Sequence, residues 1–228
     1  MANGTRTART GSQTRASRHS LREREGIAAS RHLCACDPAL ARIIGQVGAC
    51  TIRSEPDAFM SLVRAIVYQQ LAGSAADAIF GRFLNLYGKD TFPRPAQILA
   101  TDVSALRSTG LSARKIEYIC DLAAHVSDGR LDLASLSSLP DEEIIEKLTC
   151  VKGIGRWTAE MFLIFCLGRP DVLPVGDLGF RRAIKIHYGL EELPTPEVAR
   201  KIAEPWKPYS SIATWYLWKS LEKFKGIG

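Results

Sequence analysis

The chain has 228 residues and a formal net charge of +6, room for one large domain or two smaller subdomains. No stretch of about 18 residues is apolar and uncharged, so no membrane span is predicted; the richest apolar run, Met161 to Leu167, suits a buried helix. Seven arginines lie in residues 1–32 against Glu23 and Glu25, so the excess charge sits at one end and the rest of the chain is near neutral. A folded part of that kind has to meet a polyanion through a local patch or through backbone amides.

Residues 1–32 are rich in Arg, Ser, Thr and Gly. They bury too little apolar surface to offset the entropy of ordering, and a disordered basic tail is expected. Such an arm adds nonspecific attraction to DNA, although a merely solvated tail fits the composition as well. From Pro38 the pattern is helical throughout. Leu40, Ile43, Ile44 and Val47 share one face, and Phe59, Leu62, Val63, Ile66 and Val67 share another, in a helix opened by Pro56 and Asp57. A third helix is predicted over Ala75–Tyr87, ending at Gly88. Residues 95–107 read as two short helices. Ser112 is the N-cap of a helix running through Val126 and ending near Gly129.

Pro140 and Asp141 open a helix to about Leu148; further helices follow Gly155 and Asp177 and end at Gly168 and Gly189; Pro196 and Pro208 open the last two. No alternating run predicts a strand. The fold class is therefore all-α, about ten helices on short connections. The six cysteines follow no metal or iron–sulfur spacing and no secretory leader precedes them, so reduced thiols in an intracellular protein are expected. Cys120, Cys150 and Cys166 read as small core residues. His125 and His187 have no ligand partners at metal spacing and read as structural.

The most informative segment is LTCVKGIGRWT, Leu148 to Thr158. One amphipathic helix enters it and another leaves it, with Lys152, Gly153, Ile154 and Gly155 between. Glycine at 153 and 155 allows positive φ and close approach of the backbone to a ligand. The amides at the start of the second helix carry the positive end of its dipole. Such a helix-hairpin-helix can hold a DNA phosphate through main-chain N–H groups, helped by Lys152. From spacing alone, an ordinary glycine-capped turn is the readier account, since such turns are common.

The context is more specific. LTCVKGIGRWTAEMFLIF followed by LPVGDLGFRRAI resembles the helix-hairpin-helix DNA glycosylase superfamily. RAIVYQQLAGSAADAIFGRF, GLSARKIEYI and EPWKPYSSIATWYLW are similar to its compact alkylation-repair branch, DNA-3-methyladenine glycosylase II. The resemblance covers roughly Pro38 to Trp218. It implies two helical subdomains flanking a DNA-binding cleft, a monomer acting on double-stranded DNA that contains alkylated bases, and release of the base without strand cleavage. It implies no required cofactor, but a structural Na+ or K+ at the hairpin, held by the main-chain carbonyls of Thr149, Val151 and Gly153.

The resemblance places the catalytic carboxylate at Asp177, at the start of the helix after the hairpin. Loss of a purine develops positive charge on the deoxyribose, and a carboxylate beside the sugar stabilises it and orients or deprotonates the water. Asp177 suits a plain N-cap too. Gly176 precedes it where many relatives have a second acid. Bifunctional relatives carry a Schiff-base Lys where this chain has Trp157, and Arg156 is no substitute, since guanidinium stays protonated. The target base has to leave the stack. Trp157, Trp218, Trp215 and Met161 are the base-pocket residues implied, although core packing is the readier account of Trp215, as it is of Trp206.

A purine alkylated at a ring nitrogen carries a positive charge, and its stacking on an indole gains a cation–π contribution. Gln70 or Leu71, at the end of the Phe59 helix, would fill the gap as a wedge, although core burial fits Leu71 as well. Ala72 stands where some relatives have a His. Lys115, with Ser112 and Arg114 at another helix start, is a second candidate phosphate contact, an ordinary capped helix start being the alternative. Arg181, Arg182 and Lys185 read as a solvated face, with Arg181 able to support Asp177 by charge.

Overall fold

The computed structural model describes residues 26–224, apart from 53, 56, 72, 89 and 90. Pro56, Ala72 and the first 25 residues of the predicted tail thus lie outside the described residues. The remainder of that tail is helical, which moves the boundary: α1 spans 26–36. The physical reason is its apolar face, since Ala29 and Leu33 are fully buried. Twelve α-helices and no strand occur among the described residues. None is long and apolar enough to cross a membrane.

The chain divides into two units. The first joins two distant stretches, the residues up to Ile52 and those from Pro170 onward; the second is the continuous insert Arg53–Arg169. In the first unit α1 is followed by α2 (Pro38–Val47), and α10 (Leu178–His187), α11 (Pro196–Ala203) and α12 (Ser210–Phe224) complete it. Helix α12 packs on both α2 and α10. Tyr216 of α12 donates to the Gly48 carbonyl at 3.0 Å and shares a hydrogen bond with Ser30.

A buried carboxylate organises this unit. Asp37 Oδ1 accepts from the amides of Ala39 and Leu40, capping α2, while Oδ2 accepts from Trp206 Nε1 at 2.8 Å and from the Tyr188 hydroxyl. Four donors compensate the burial of one charge. Burial, with the Asp37 hydrogen bond second, pushes the Tyr188 phenol up. Trp206 is a core residue, as its spacing predicted. His187 hydrogen-bonds Ser220 Oγ at 2.7 Å, and burial lowers its pKa.

The second unit contains α3 (Ala58–Tyr68), α4 (Gly73–Asn85), α5 (Pro95–Leu99), α6 (Val103–Ser108), α7 (Ala113–Ser127), α8 (Asp141–Thr149) and α9 (Arg156–Phe162), which widens into a π-helical turn over Leu163–Leu167. Gly168, at φ +68, ends it in the left-handed region. The predicted apolar face of α3 is buried: Phe59, Leu62, Val63, Ile66 and Val67. It meets Ile116, Ile119, Leu122 and Ala123 of α7 across a shared core.

Three boundaries differ from the sequence reading. Helix α4 begins and ends two residues early, because the chain tightens into i+3 bonds at Leu86 and Tyr87 before Gly88 turns at φ +87. Helix α12 starts at Ser210 rather than Pro208. Cys150 follows α8 as an exposed cap residue, not a core one; Cys166 is buried, and burial raises its thiol to about 11.

Candidate hairpin and carboxylate site

In the second unit, α8 enters the hairpin and α9 leaves it. Val151 and Ile154 are buried and anchor the turn from below. The two glycines serve different purposes. Gly153 lies at φ +81, and a Cβ there would stand 2.1 Å from Tyr118 Cδ2, so both backbone and ring require glycine. Gly155 has φ −95 and ψ 173, an extended N-cap that any residue adopts, and open space surrounds the Cβ position. The expectation of positive φ thus holds at 153 and is corrected at 155, where glycine leaves the approach to α9 bare.

Lys152 is exposed but engaged: its amide donates to Asp121 Oδ2 and its ammonium pairs with Glu117 Oε1, both at 2.9 Å. A main-chain grip on an anion therefore begins beyond Lys152, toward the first turn of α9. Two of the three carbonyls expected to hold a cation accept hydrogen bonds: Val151 O from the Ile154 amide at 3.1 Å, Gly153 O from Gln69 Nε2 at 2.8 Å. Each carbonyl oxygen has a second lone pair, so the trio remains compatible with a loosely held monovalent ion.

Trp157, in the first turn of α9, is 48% exposed, far more than a core indole. Met161 follows one turn later on the same face, half-buried. Arg156 beside it is held by Glu142 through two hydrogen bonds, at 3.0 and 2.5 Å, and by the buried Glu160 at 3.2 Å. Its guanidinium is a structural clasp between α8 and α9.

The turn after α3 presents the expected wedge residues. Gln70 takes φ +56, a left-handed conformation uncommon for a residue with a side chain. Gln70 and Leu71 are both exposed, so core burial does not explain Leu71. Lys115 is placed differently from its expected phosphate role. Its ammonium donates to the Val67 carbonyl at 2.6 Å, at the C-terminal end of α3 where a cation offsets the helix dipole, and desolvation lowers its pKa. Ser112 caps α7 at the Lys115 amide, as predicted. His125 is structural as predicted, contacting the Asp121 carbonyl and Arg130.

The carboxylate belongs to the first unit. Asp177 caps α10 through Oδ1, which accepts from the Phe180 amide at 2.6 Å and from Trp218 Nε1 at 2.8 Å. Two donors on one oxygen fix the direction of the group. Residues 170–172, which lead toward it, are tied to the start of α12. Ser211 N donates to Pro170 O, Val172 N to Ser211 Oγ, and Ser210 Oγ to Asp171 Oδ1. The indole N–H of Trp218 thus orients the carboxylate. Trp215 is 7% exposed and packs edge-on against Tyr216, so it has no face for a stacked base and is a core residue. Arg181 donates to Pro194 O at 2.7 Å, fastening the segment that precedes α11.

Sequence reasoning missed several supports. Gly179 is one: a Cβ there would lie 3.1 Å from Asp177 Oδ1 and 3.4 Å from Trp218 Cδ1. Its signal was a glycine in the first turn of a helix, where propensity disfavours it by about 1 kcal/mol. Gly179→Ala is expected to shift the carboxylate by a few tenths of an ångström and lower single-turnover rates several-fold with little loss of stability, measured by kinetics beside a thermal melt. Tyr118, Gln69, Asp171 and Ser211 gave no local signal, because each acts on a residue distant in sequence.

The hairpin bent at Gly153 is followed in sequence by the capped carboxylate of Asp177, on a chain that is all-helical among the described residues. The chain belongs to the HhH-GPD superfamily of base excision DNA repair proteins, whose family model matches residues 63–208. Among curated relatives, the alkylbase DNA glycosidase-like protein mag2 of Schizosaccharomyces pombe is 35% identical over 195 residues, covering 84% of this chain and 92% of that protein. The solved 3-methyladenine DNA glycosylase Mag1 of the same yeast, in complex with abasic DNA, is similar with a TM-score of 0.77 and 37% identity, covering 86% of this chain and 97% of that one. A DNA-3-methyladenine glycosidase from Bacillus halodurans is similar with a TM-score of 0.78 and 42% identity, covering 87% and 91%.

Proposed function

We infer that the chain is a monofunctional DNA glycosylase that hydrolyses the N-glycosidic bond of alkylated purines, of the 3-methyladenine type, in double-stranded DNA. The observation that carries this reading is the seating of Asp177, aimed by Phe180 N and Trp218 Nε1 at the head of α10. In the reaction the C1′–N bond breaks and the base leaves with its electron pair. Positive charge develops on the deoxyribose, which a fixed carboxylate stabilises without reorganising. Water adds its oxygen to C1′, and its proton passes to the carboxylate or to solvent. A cationic alkylated purine departs as a neutral molecule, so it needs little acid assistance.

The hairpin around Gly153 and Gly155 grips a phosphate, with Lys152 released from its exposed pairing to help. Thr149, Val151 and Gly153 would hold a monovalent cation there through their carbonyls, and that ion supplies positive charge toward the backbone. Leu71 or Gln70 fills the gap in the stack, and Trp157, with Met161 behind it, contacts the base. Trp157 in place of a Schiff-base Lys supports hydrolysis without lyase chemistry. A monomer, intracellular and associated with DNA, with a basic N-terminal arm for nonspecific attraction, accords with this reading.

Incubation with methylated duplex DNA tests it: free alkylated bases are expected, with no strand cleavage and no borohydride trapping. Binding without base release would leave a nonenzymatic damage-binding module instead. Trp157→Ala is expected to slow excision of cationic bases about 2- to 30-fold, the cation–π contribution being ~0.5–2 kcal/mol. Neutral etheno adducts lose less. Single-turnover rates on paired substrates check the difference, and a uniform loss would remove the cation–π argument.

A further inference from the structure

The exposed Gln70–Leu71 turn stands on three side-chain ties, all within the second unit. Gln69 Nε2 donates to Gly153 O at 2.8 Å, across 84 residues of sequence. Lys115 Nζ donates to Val67 O at 2.6 Å, closing the end of α3. Tyr68, between them, hydrogen-bonds Asp77 of α4, and Arg64 lies over its ring at 4.9 Å. The turn itself is strained at Gln70, φ +56, a conformation that persists only where its surroundings determine it. Of the three ties, only the Gln69 carboxamide reaches the hairpin, and it does so at Gly153, the residue whose left-handed backbone shapes that hairpin.

We propose that the Gln69–Gly153 hydrogen bond is the mechanical link that holds the wedge turn in register with the phosphate-gripping hairpin, which makes Gln69 a positioning residue for base extrusion and Lys115 its support. The proposal rests on the glycosylase reading for the meaning of extrusion. A wedge fills a gap only if its distance from the gripped phosphate is fixed. A turn free to drift relative to the hairpin still lets the hairpin bind DNA but spends binding energy on ordering itself. Gln69 touches no DNA in this scheme; it transmits the position of one element to another.

The test uses the full chain and three variants, Gln69→Leu, Gln69→Glu and Lys115→Met. Three readouts are taken: hydrogen exchange of amides 69–71 without DNA, affinity for undamaged duplex, and fluorescence of 2-aminopurine placed beside an abasic-site analogue. Gln69→Leu is expected to speed exchange at 70 and 71 and to cut the extrusion signal about five- to tenfold, the worth of one hydrogen bond. Its affinity for undamaged DNA should stay within about twofold. Gln69→Glu places a carboxylate against a carbonyl oxygen; its extrusion defect should exceed that of Leu at neutral pH and recover on acidification, when the protonated acid can donate.

Lys115→Met should reproduce the exchange effect in a variant that leaves Gln69 intact. Unchanged exchange and extrusion in Gln69→Leu would overturn the link. So would a tenfold loss of undamaged-DNA affinity with extrusion intact, which assigns Gln69 to the hairpin alone. If the unmodified protein gives no fluorescence change, the glycosylase reading is what fails, and the exchange data still decide whether the tie holds the turn.

Discussion

Gly153→Ala is expected to be among the most damaging single substitutions in the hairpin. The new methyl group would begin 2.1 Å from Tyr118 Cδ2 and 2.4 Å from Cγ, at a backbone φ of +81. An L-residue held in the left-handed region costs about 1–2 kcal/mol, and overpacking against a ring adds about 1–3 kcal/mol. A combined loss of roughly 2–5 kcal/mol lowers Tm by several degrees in a chain of this size, and a thermal melt reads it directly. Adding Tyr118→Ala should recover the steric part and leave the backbone part. Gly155→Ala makes the control: its extended backbone and open surroundings predict a stability cost under about 1 kcal/mol. Its loss should appear in DNA affinity, because the methyl group stands where a phosphate would approach.

Asp177→Asn is expected to abolish most base release while sparing the fold. Asparagine caps helices about as well as aspartate, and its carbonyl oxygen can keep the bonds from Phe180 N and Trp218 Nε1. What it loses is charge, and removal of one such electrostatic group costs about 10²–10³ in rate. Single-turnover excision should fall by that factor with affinity for abasic DNA within a few-fold of the unmodified protein. Asp177→Ala separates the two roles, since it forfeits about 1 kcal/mol of capping as well. A variant with full activity in Asp177→Asn would reduce this residue to its capping role.

Helix content and most boundaries were legible because they follow from local pattern. The α3 face, the Ser112 cap and the left-handed stops at Gly168 and Gly189 are each set by residues within a turn or two. The candidate site was named in the sequence as residues, without the partners that hold them. Asp177, Trp157 and the hairpin glycines came from motif and resemblance; what engages them did not. Lys115 reads as a free cation in sequence, yet its partner is a carbonyl 48 residues away. Trp215 and Trp218 share an aromatic-rich helix, but only the first is core, because the burial of each depends on what the opposite helices present. Gly155 looks like Gly153 in the string, and only the backbone angles tell the two apart.

The interrupted first unit has a consequence for biogenesis. Helix α2 leaves the ribosome early, yet the Tyr216 hydroxyl that meets the Gly48 carbonyl is translated 168 residues later. The uninterrupted insert can consolidate during synthesis, while α2 waits for α12, which packs on it. A nascent chain stalled before Ser210 therefore has the whole of its hairpin but lacks the Trp218 indole that completes the seat of its carboxylate.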